Sequence, residues 1–296
     1  MVLVEAMSLP PAKPAGMLEE KQQKALISLL CDDDAHIYRT VRQKIISFGP
    51  ASARWMREYA LSSDPVLRRR ANEIVQHFAR LAADTELLAF CLNQGEDFDL
   101  ERGVMLLART QYPDINIEAY GAILDDYARD LRERLDLNGE AGEVLRGIND
   151  YLFRTQKFLG EEKNAQGPED SYFSRVIDRK AGNPVSLCIL YLLVGRRLRL
   201  PMAGIGLPQN YFLCRYQTSR AEVYIDAFNG GRLLSKSDCI KYVVQLRQRF
   251  EDSCLAPMSS RRILLRICAN LHQIYTQRKA PEQMERLQSY LVALAK

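Results

Sequence analysis

The stretch GNPVSLCILYLLVGRRLRLP, residues 182–201, decides the fold of this chain. Asn183 can cap a helix, and Pro184 suits the first helical turn because that position needs no free N–H. The residues that follow, up to Val194, are apolar on nearly every face, which is typical of a helix buried on several sides. The arginine-rich end, 196–199, complements the negative end of the helix dipole. This segment therefore predicts a central buried helix.

Two strands are predicted after this helix. NYFLCRY (210–216) and EVYIDAF (222–228) are rich in apolar and aromatic residues, and QTSRA (217–221) between them has the length of a hairpin loop. NGG (229–231) has turn chemistry and closes the second strand. A polar helix from about 236 to 250 is expected next. The central segment thus predicts a buried helix with a small antiparallel sheet.

Helical patterns flank this segment on both sides. Two segments about thirty residues apart have similar patterns, DDDAHIYRTVRQKII from residue 32 and SSDPVLRRRANEIV from residue 62. This similarity favours a HEAT-like helical repeat. Near the C-terminus, Ser259 or Ser260 can cap one helix and Pro281 can open another, as in a tetratricopeptide-like pair. The fold class expected is α+β and mostly α. The expected divisions are a disordered arm (1–18), HEAT-like repeats (19–95), a helical segment (96–160), the central core (161–256) and the C-terminal helix pair (257–296).

The composition is that of a soluble globular protein, with 47% hydrophobic and 26% charged residues. A net charge of +4 is too small to indicate a polyanionic partner. The longest apolar run, around 187–194, is far too short for a membrane span, and residues 1–16 lack the features of a secretory signal. Seven cysteines at irregular spacing predict neither a disulfide framework nor a zinc site. We expect a cytoplasmic protein with no cofactor and no metal.

Two long motifs resemble the SirB-type family, whose core is transglutaminase-like. They are DSYFSRVIDRKAGNPVSLCILYLLVGRRLRLPMAGIGLP (170–208) and IDAFNGGRLLS (225–235). The family shows G-x-P-[IV]-S-L, then R-R-L-G-L-P, then P-G-H-F and D-P-F-N-G-G. A looser likeness extends to the N-terminal helices. The resemblance implies a transglutaminase-like core held between helical flanks.

The resemblance also implies where a catalytic site would lie. Active enzymes with this core place a cysteine at the start of the central helix, a histidine on the next strand and an acid on the following strand. Here Pro184 stands at the cysteine position, and Asp226 keeps the acid. Tyr211 stands at the histidine position, or Asn210 if the loop is one residue longer. Loss of the cysteine is common in the SirB-type family, whereas QNYF in place of GHF departs from its pattern.

No catalytic residue is therefore expected, and Pro184, Tyr211 and Asp226 mark a degenerate site. The side chains expected to line its cleft are Asn183, Ser186, Asn210 and Asn229. The resemblance predicts a non-catalytic scaffold or regulator that binds another protein or a peptide, with no membrane partner.

A thiol or serine hydrolase or acyltransferase is the first alternative. Its nucleophile would be Cys188 or Ser186, acting with Tyr211 and Asp226. Tyrosine, with an ordinary pKa near 10, is a poor base at neutral pH, and the sequence has no histidine between 77 and 272. Cys188 lies on an apolar helix, which favours a core thiol, and the hydroxyl of Ser186 suits a bond to the helix start.

A nucleic-acid-binding helical repeat is the second alternative. It would use the arginine tracts at 68–70, 196–199 and 261–262. Neither interleaved aromatic residues nor a nucleic-acid-binding motif accompanies these tracts. Arginines on solvated helix faces are the favoured interpretation.

Overall fold

The computed structural model describes residues 20–161, 167–209, 211–247 and 249–296. The chain divides into two compact units between Ala82 and Ala83. The predicted arm, 1–18, and one predicted cleft residue, Asn210, lie outside the described residues. No described helix is long and apolar enough to cross a membrane.

The first unit is helical. Its core includes the fully buried side chains of Leu30, Ile45, Met56 and Ile74. Asp34 opens the second helix, since its side chain accepts a hydrogen bond from the backbone N–H of His36. The helices of this unit are α1 (Glu20–Leu30), α2 (Ala35–Ser47), α3 (Ala51–Tyr59) and the start of α4 (Pro65–Asn93). The assignment of these helices to HEAT-like repeats stays a prediction.

The second unit combines helices with a small antiparallel sheet, which confirms the predicted α+β, mostly α class. Its further helices are α5 (Leu100–Gln111), α6 (Ile117–Arg134), α7 (Ala141–Asn149), α8 (Phe173–Arg179), α9 (Pro184–Arg197), α10 (Lys236–Gln245), α11 (Ser260–Gln277) and α12 (Pro281–Leu294). Its strands are β1 (Leu159–Gly160), β2 (Ala181–Gly182), β3 (Met202–Gly206), β4 (Phe212–Gln217), β5 (Glu222–Asp226) and β6 (Arg232–Leu234). A π-helical segment, Asp150–Thr155, continues α7.

Helix α9 is the central buried helix that the sequence predicts. The side chain of Asn183 accepts from the backbone N–H of Ser186, and Pro184 is the first helical residue. Apolar side chains on all faces are buried because α9 packs against α6, β3 and β4. At the other end, Arg197 binds the carboxylates of Glu101 and Asp125. These local signals position the start of α9 beside the sheet.

The main sheet is antiparallel, in the order β3-β4-β5-β6. The predicted hairpin is β4–β5, with Cys214 opposite Ile225. Strand β4 of this hairpin begins at Phe212, so Tyr211 lies immediately before the strand. Strands β3 and β6 extend the hairpin on either side, and β1 and β2 form a separate parallel pair. In the turn after β5, both Gly230 and Gly231 have positive φ, at 69° and 77°, which explains the glycine pair.

The C-terminal helices α11 and α12 pack as a pair. Ser259 caps α11 and Pro281 opens α12, as predicted. Arg261 is buried, and its guanidinium donates to backbone carbonyls near the ends of α4 and α12, including those of Cys91 and Leu294. Arg261 therefore satisfies carbonyl groups at the ends of two helices, and this arginine of the tract at 261–262 is not a solvated cation.

Candidate functional site

A cavity of about 350 Å³ lies at the N-terminal end of α9. Its wall combines the start of α9, the approach to β4, the turn after β5, and side chains of α10 and α11. The lining residues are Glu161, Asn183, Pro184, Gln209, Tyr211, Phe228, Asn229, Tyr242, Asn270, Gln273 and Ile274. The cavity therefore brings together four of the positions singled out from the sequence, Asn183, Pro184, Tyr211 and Asn229.

The first turn of α9 presents no nucleophile to this cavity. Pro184 is half-buried in its wall, and a proline side chain has no ionisable group. Ser186 is fully buried, and its hydroxyl donates to the backbone carbonyl of Asn183 and accepts from the backbone N–H of the same residue. Asn183 in turn donates to the hydroxyl of Ser171 at 2.8 Å. Ser186 is therefore a capping residue beneath the cavity, and the expectation that it lines the cleft is not met.

Tyr211 and Asp226 are joined by a hydrogen bond from the tyrosine hydroxyl to the carboxylate. The contact expected between them is confirmed, although the register makes them offset neighbours because Cys214 stands opposite Ile225. Asp226 is only 1% exposed, and it also accepts from the backbone N–H of Asn229 at 3.1 Å and from its side-chain amide at 2.7 Å. Its carboxylate thus anchors both Tyr211 and the turn that follows β5.

The hydroxyl of Tyr211 is a weaker acid than an ordinary tyrosine. Burial, followed by the hydrogen bond to Asp226 and the charge of that carboxylate, raises the pKa of Tyr211 well above its usual value. Because a general base must hold an open site for a proton near the working pH, a tyrosine that stays protonated and donates to a carboxylate cannot act as one at pH 7. Tyr211 is therefore a structural hydrogen-bond donor to Asp226.

The aromatic part of the wall is formed by Tyr211, Tyr242 and Phe228. The rings of Tyr211 and Tyr242 lie 4.6 Å apart with an interplanar angle of 37°. The hydroxyl of Tyr242 donates to the backbone carbonyl of Pro208 at 3.3 Å. Both tyrosine hydroxyls are therefore bonded within the protein, so the rings offer mainly their apolar surface to the cavity.

Cys188 lies in the core rather than in the cavity wall. It is fully buried, and its sulfur is 2.7 Å from that of Cys214 on β4. Burial, and then the contact with Cys214, raises the pKa of the Cys188 thiol well above its ordinary value. Since the thiolate is the reactive form, Cys188 lacks the environment of a catalytic cysteine.

The charges near the cavity are paired. Glu161 accepts hydrogen bonds from Arg179 at 3.2 and 3.3 Å, and the same arginine donates to Asp170 at 2.6 Å. Asp170 is buried, and this burial raises its pKa, although Arg179 opposes the effect. Among the described residues, no cluster of three or more His, Cys, Asp or Glu side chains is placed to hold a metal ion.

Several lining residues were not predicted from the sequence. Asn270 and Gln273 come from α11, where their spacing of three puts them on one helix face, beside Ile274. That spacing is visible in the sequence, but it does not reveal which part of the molecule the face covers. Gln209 lies in the loop before β4, and Tyr242 lies on α10.

The family described as the transglutaminase-like superfamily matches residues 118–269, which is more than half of the chain and includes α9 and the whole main sheet. The chain belongs to the transglutaminase-like superfamily. The matched region also contains Pro184, Tyr211 and Asp226, so it covers the start of α9 and the β4–β5 hairpin beside the cavity.

Relatives of this transglutaminase-like protein are found in bacteria and in animals. A UPF0162 protein of Xylella fastidiosa is 31% identical over 193 residues, which is 61% of this chain and 66% of the relative. A UPF0162 protein of Pseudomonas aeruginosa is 26% identical over 52% of this chain and 56% of its own length. F-box only protein 21 of mouse is 28% identical over 44% of this chain, but only 21% of that protein is covered. No solved structure matches the chain at a significant level.

Proposed function

We propose that this chain is a non-catalytic, SirB-type member of the superfamily whose cavity binds a peptide segment of a partner protein. The observation that carries the proposal is the bond between Tyr211 and Asp226 beside Pro184. In this arrangement the carboxylate of Asp226, the acid of the degenerate site, accepts a structural hydrogen bond, and the start of α9 has no nucleophile. The cavity beside this bond has a volume of about 350 Å³, which lies within the range of ordinary ligand sites.

The lining of the cavity supports a peptide as the ligand. The carboxamides of Gln209, Asn270 and Gln273 line the cavity together with its aromatic rings and make no hydrogen bond within the described residues. A carboxamide has both donors and an acceptor, so it can pair with the N–H and the carbonyl of a peptide group. The aromatic rings can bury apolar side chains of the same segment.

The hydrolase alternative finds no support in this geometry. Cys188 is buried against Cys214, and the hydroxyl of Ser186 is bonded to the backbone at the start of α9. A nucleophile must be next to a base and open to its substrate, and neither residue meets that condition.

Selection from a displayed library of random peptides tests the proposal. We expect the wild-type protein to enrich peptides whose binding is lost in Gln273→Trp, because the larger ring fills the cavity from an exposed position on α11. Gln288→Trp is the matched control, since Gln288 is exposed on α12 and is not part of the cavity wall. Selected peptides that bind both variants equally, or a selection that enriches none, would contradict the proposal.

A further inference from the structure

A half-buried arginine, Arg266 of α11, lies next to the cavity wall. One N–H of its guanidinium donates to the backbone carbonyl of Leu207 at 3.5 Å, and Leu207 is followed two residues later by Gln209, which lines the cavity. Along α11, the lining residues Asn270 and Gln273 come one and two turns after Arg266 and share its helix face. The positive charge of Arg266 is therefore held between the loop before β4 and the polar face of α11.

The guanidinium of Arg266 has no counter-ion within the described part of the chain. Its Nε is buried and has no hydrogen-bond partner, and its contact with Leu207 is to a neutral carbonyl. Burial lowers the pKa of Arg266, and no described charge opposes this effect. The acids nearest the cavity are engaged elsewhere, since Glu161 binds Arg179 and Asp226 accepts from Tyr211. A desolvated cation of this kind is stabilised by an anion.

Other half-buried arginines of the same unit have such an anion. Arg197 binds Glu101 at 2.7 Å, and Arg286 binds Asp84 at 2.8 Å. Their side chains are 17% and 19% exposed, so the chain pairs these two guanidinium groups when it removes them from water. Arg266 differs from them in offering most of its N–H donors to a group that the described chain does not supply.

We propose that the peptide segment bound by this cavity carries a carboxylate that pairs with Arg266; the inference rests on the peptide-binding function proposed above. The planar fork of a guanidinium matches the two oxygens of a carboxylate, and such paired hydrogen bonds are stronger than those between neutral groups. Because folding has already removed much of the water from Arg266, binding need not desolvate it fully. The carboxylate is either the C-terminal end of the peptide or the side chain of an Asp or Glu residue.

A phosphorylated peptide fits this arrangement less well than a carboxylate. A phosphate ester carries nearly two negative charges at pH 7, and proteins recognise it with clusters of arginines. The described residues that line the cavity include no lysine or arginine, but they include the carboxylate of Glu161. A single unpaired guanidinium beside this wall therefore favours an anion with one charge.

Affinity selection from synthetic peptide libraries, read by mass spectrometry, tests this inference with the full chain. Four libraries of N-acetylated random hexapeptides exclude Asp and Glu from the random positions. The first has a free C-terminal carboxylate, the second is amidated, the third is amidated and contains one Glu, and the fourth is amidated and contains one phosphoserine. We expect the wild type to enrich peptides from the first or the third library and none from the second. The enriched library then shows whether the carboxylate is a chain end or a side chain.

Variants of α11 test whether Arg266 holds the carboxylate. Arg266→Gln keeps hydrogen-bond donors but removes the charge, so it should weaken binding of the enriched peptides by about tenfold in fluorescence anisotropy. Arg266→Lys restores the charge without the planar fork and should bind more tightly than Arg266→Gln. Arg262→Gln is the matched control, because Arg262 is exposed on the same helix and is not part of the cavity wall; it should bind as the wild type does.

Three results would overturn the inference. They are equal enrichment from the acid-free amidated library, equal binding of the acidic peptides to wild type and Arg266→Gln, and a preference for the phosphoserine library. In each of these cases the proposed function stands if the bound peptides lose their binding in Gln273→Trp. If no library yields a bound peptide, both proposals are wrong. The comparison of the libraries uses the wild type alone, so it decides the carboxylate preference even if Arg266→Gln fails to fold.

Discussion

Replacement of Tyr211 by phenylalanine removes a single hydroxyl from the wall of the cavity. The hydroxyl is one of the donors to Asp226, whose side chain is almost fully buried. The backbone and side-chain N–H groups of Asn229 remain as donors to the same carboxylate. The variant therefore leaves Asp226 partly satisfied, and the phenyl ring can keep its packing against Tyr242.

The expected loss of stability follows from the charge of the acceptor and from its burial. A hydrogen bond to a charged group contributes about 1.5–3 kcal/mol, so Tyr211→Phe should lower the free energy of unfolding by about 2 kcal/mol. For a unit of the size of 83–296, each kcal/mol corresponds to a shift in melting temperature of about 2–4 °C. The variant should therefore melt about 4–8 °C below the wild type at pH 7.

Differential scanning calorimetry at pH 7 measures this shift. Tyr216→Phe is the matched control, because Tyr216 lies on β4 and its hydroxyl makes no hydrogen bond within the described residues. We expect the control to melt within about 1–2 °C of the wild type, since it loses no bond to a charge. Equal melting temperatures for wild type and Tyr211→Phe would refute the reasoning, because the hydroxyl would then contribute nothing to the anchoring of Asp226.

The remaining predictions concern titration and the core thiols. Tyr211 has a raised pKa in the folded state, so its contribution to stability is present below pH 10 and decreases above that. From pH 10 to 11 the free energy of unfolding of the wild type should therefore fall by up to about 1.4 kcal/mol more than that of Tyr211→Phe. Equal decreases for the two proteins in urea titrations would contradict this. Cys188→Asp should lower the free energy of unfolding by about 3–5 kcal/mol because it buries an unpaired charge, and the isosteric Cys188→Ser should lower it less. An unchanged urea midpoint for Cys188→Asp would show that α9 is exposed. Alkylation of the native protein at pH 8, mapped by mass spectrometry, should modify Cys31 and Cys254 well before the buried Cys188 and Cys214, and rapid modification of Cys188 would revive the hydrolase alternative.

The parts of the fold that depend on local signals could be predicted from the sequence. Asn183 and Pro184 predict the start of α9, because asparagine caps a helix and proline lacks the N–H that the first turn does not need. In the structure the helix begins at Pro184. The two runs rich in apolar and aromatic residues on either side of the short segment QTSRA predict the β4–β5 hairpin. Each of these features depends on residues close together in the chain, where a pattern can be recognised.

Features that depend on distant parts of the chain could not be predicted in this way. Strand β3, with the sequence MAGIG, has two glycines and little β-branched character, so only its pairing with β4 defines it as a strand. The contact between Cys188 and Cys214 needs the packing of α9 on β4, although the Cys188 thiol was expected in the core. The contribution of α11 to the cavity was missed for the same reason, because a single sequence does not say which helix covers the ends of which strands.

The central claim is that the cavity keeps the shape of a transglutaminase-like site without its chemistry. The most direct test is the rate of reaction of a glutamine peptide with a primary amine, together with hydrolysis of the same peptide, for the wild type, Cys188→Ala, Ser186→Ala and Asp226→Asn. The bond between Tyr211 and Asp226, and the proline at the start of α9, predict that all four rates equal the rate without protein. A wild-type rate above that background, lost in Asp226→Asn or in Cys188→Ala, would contradict the claim.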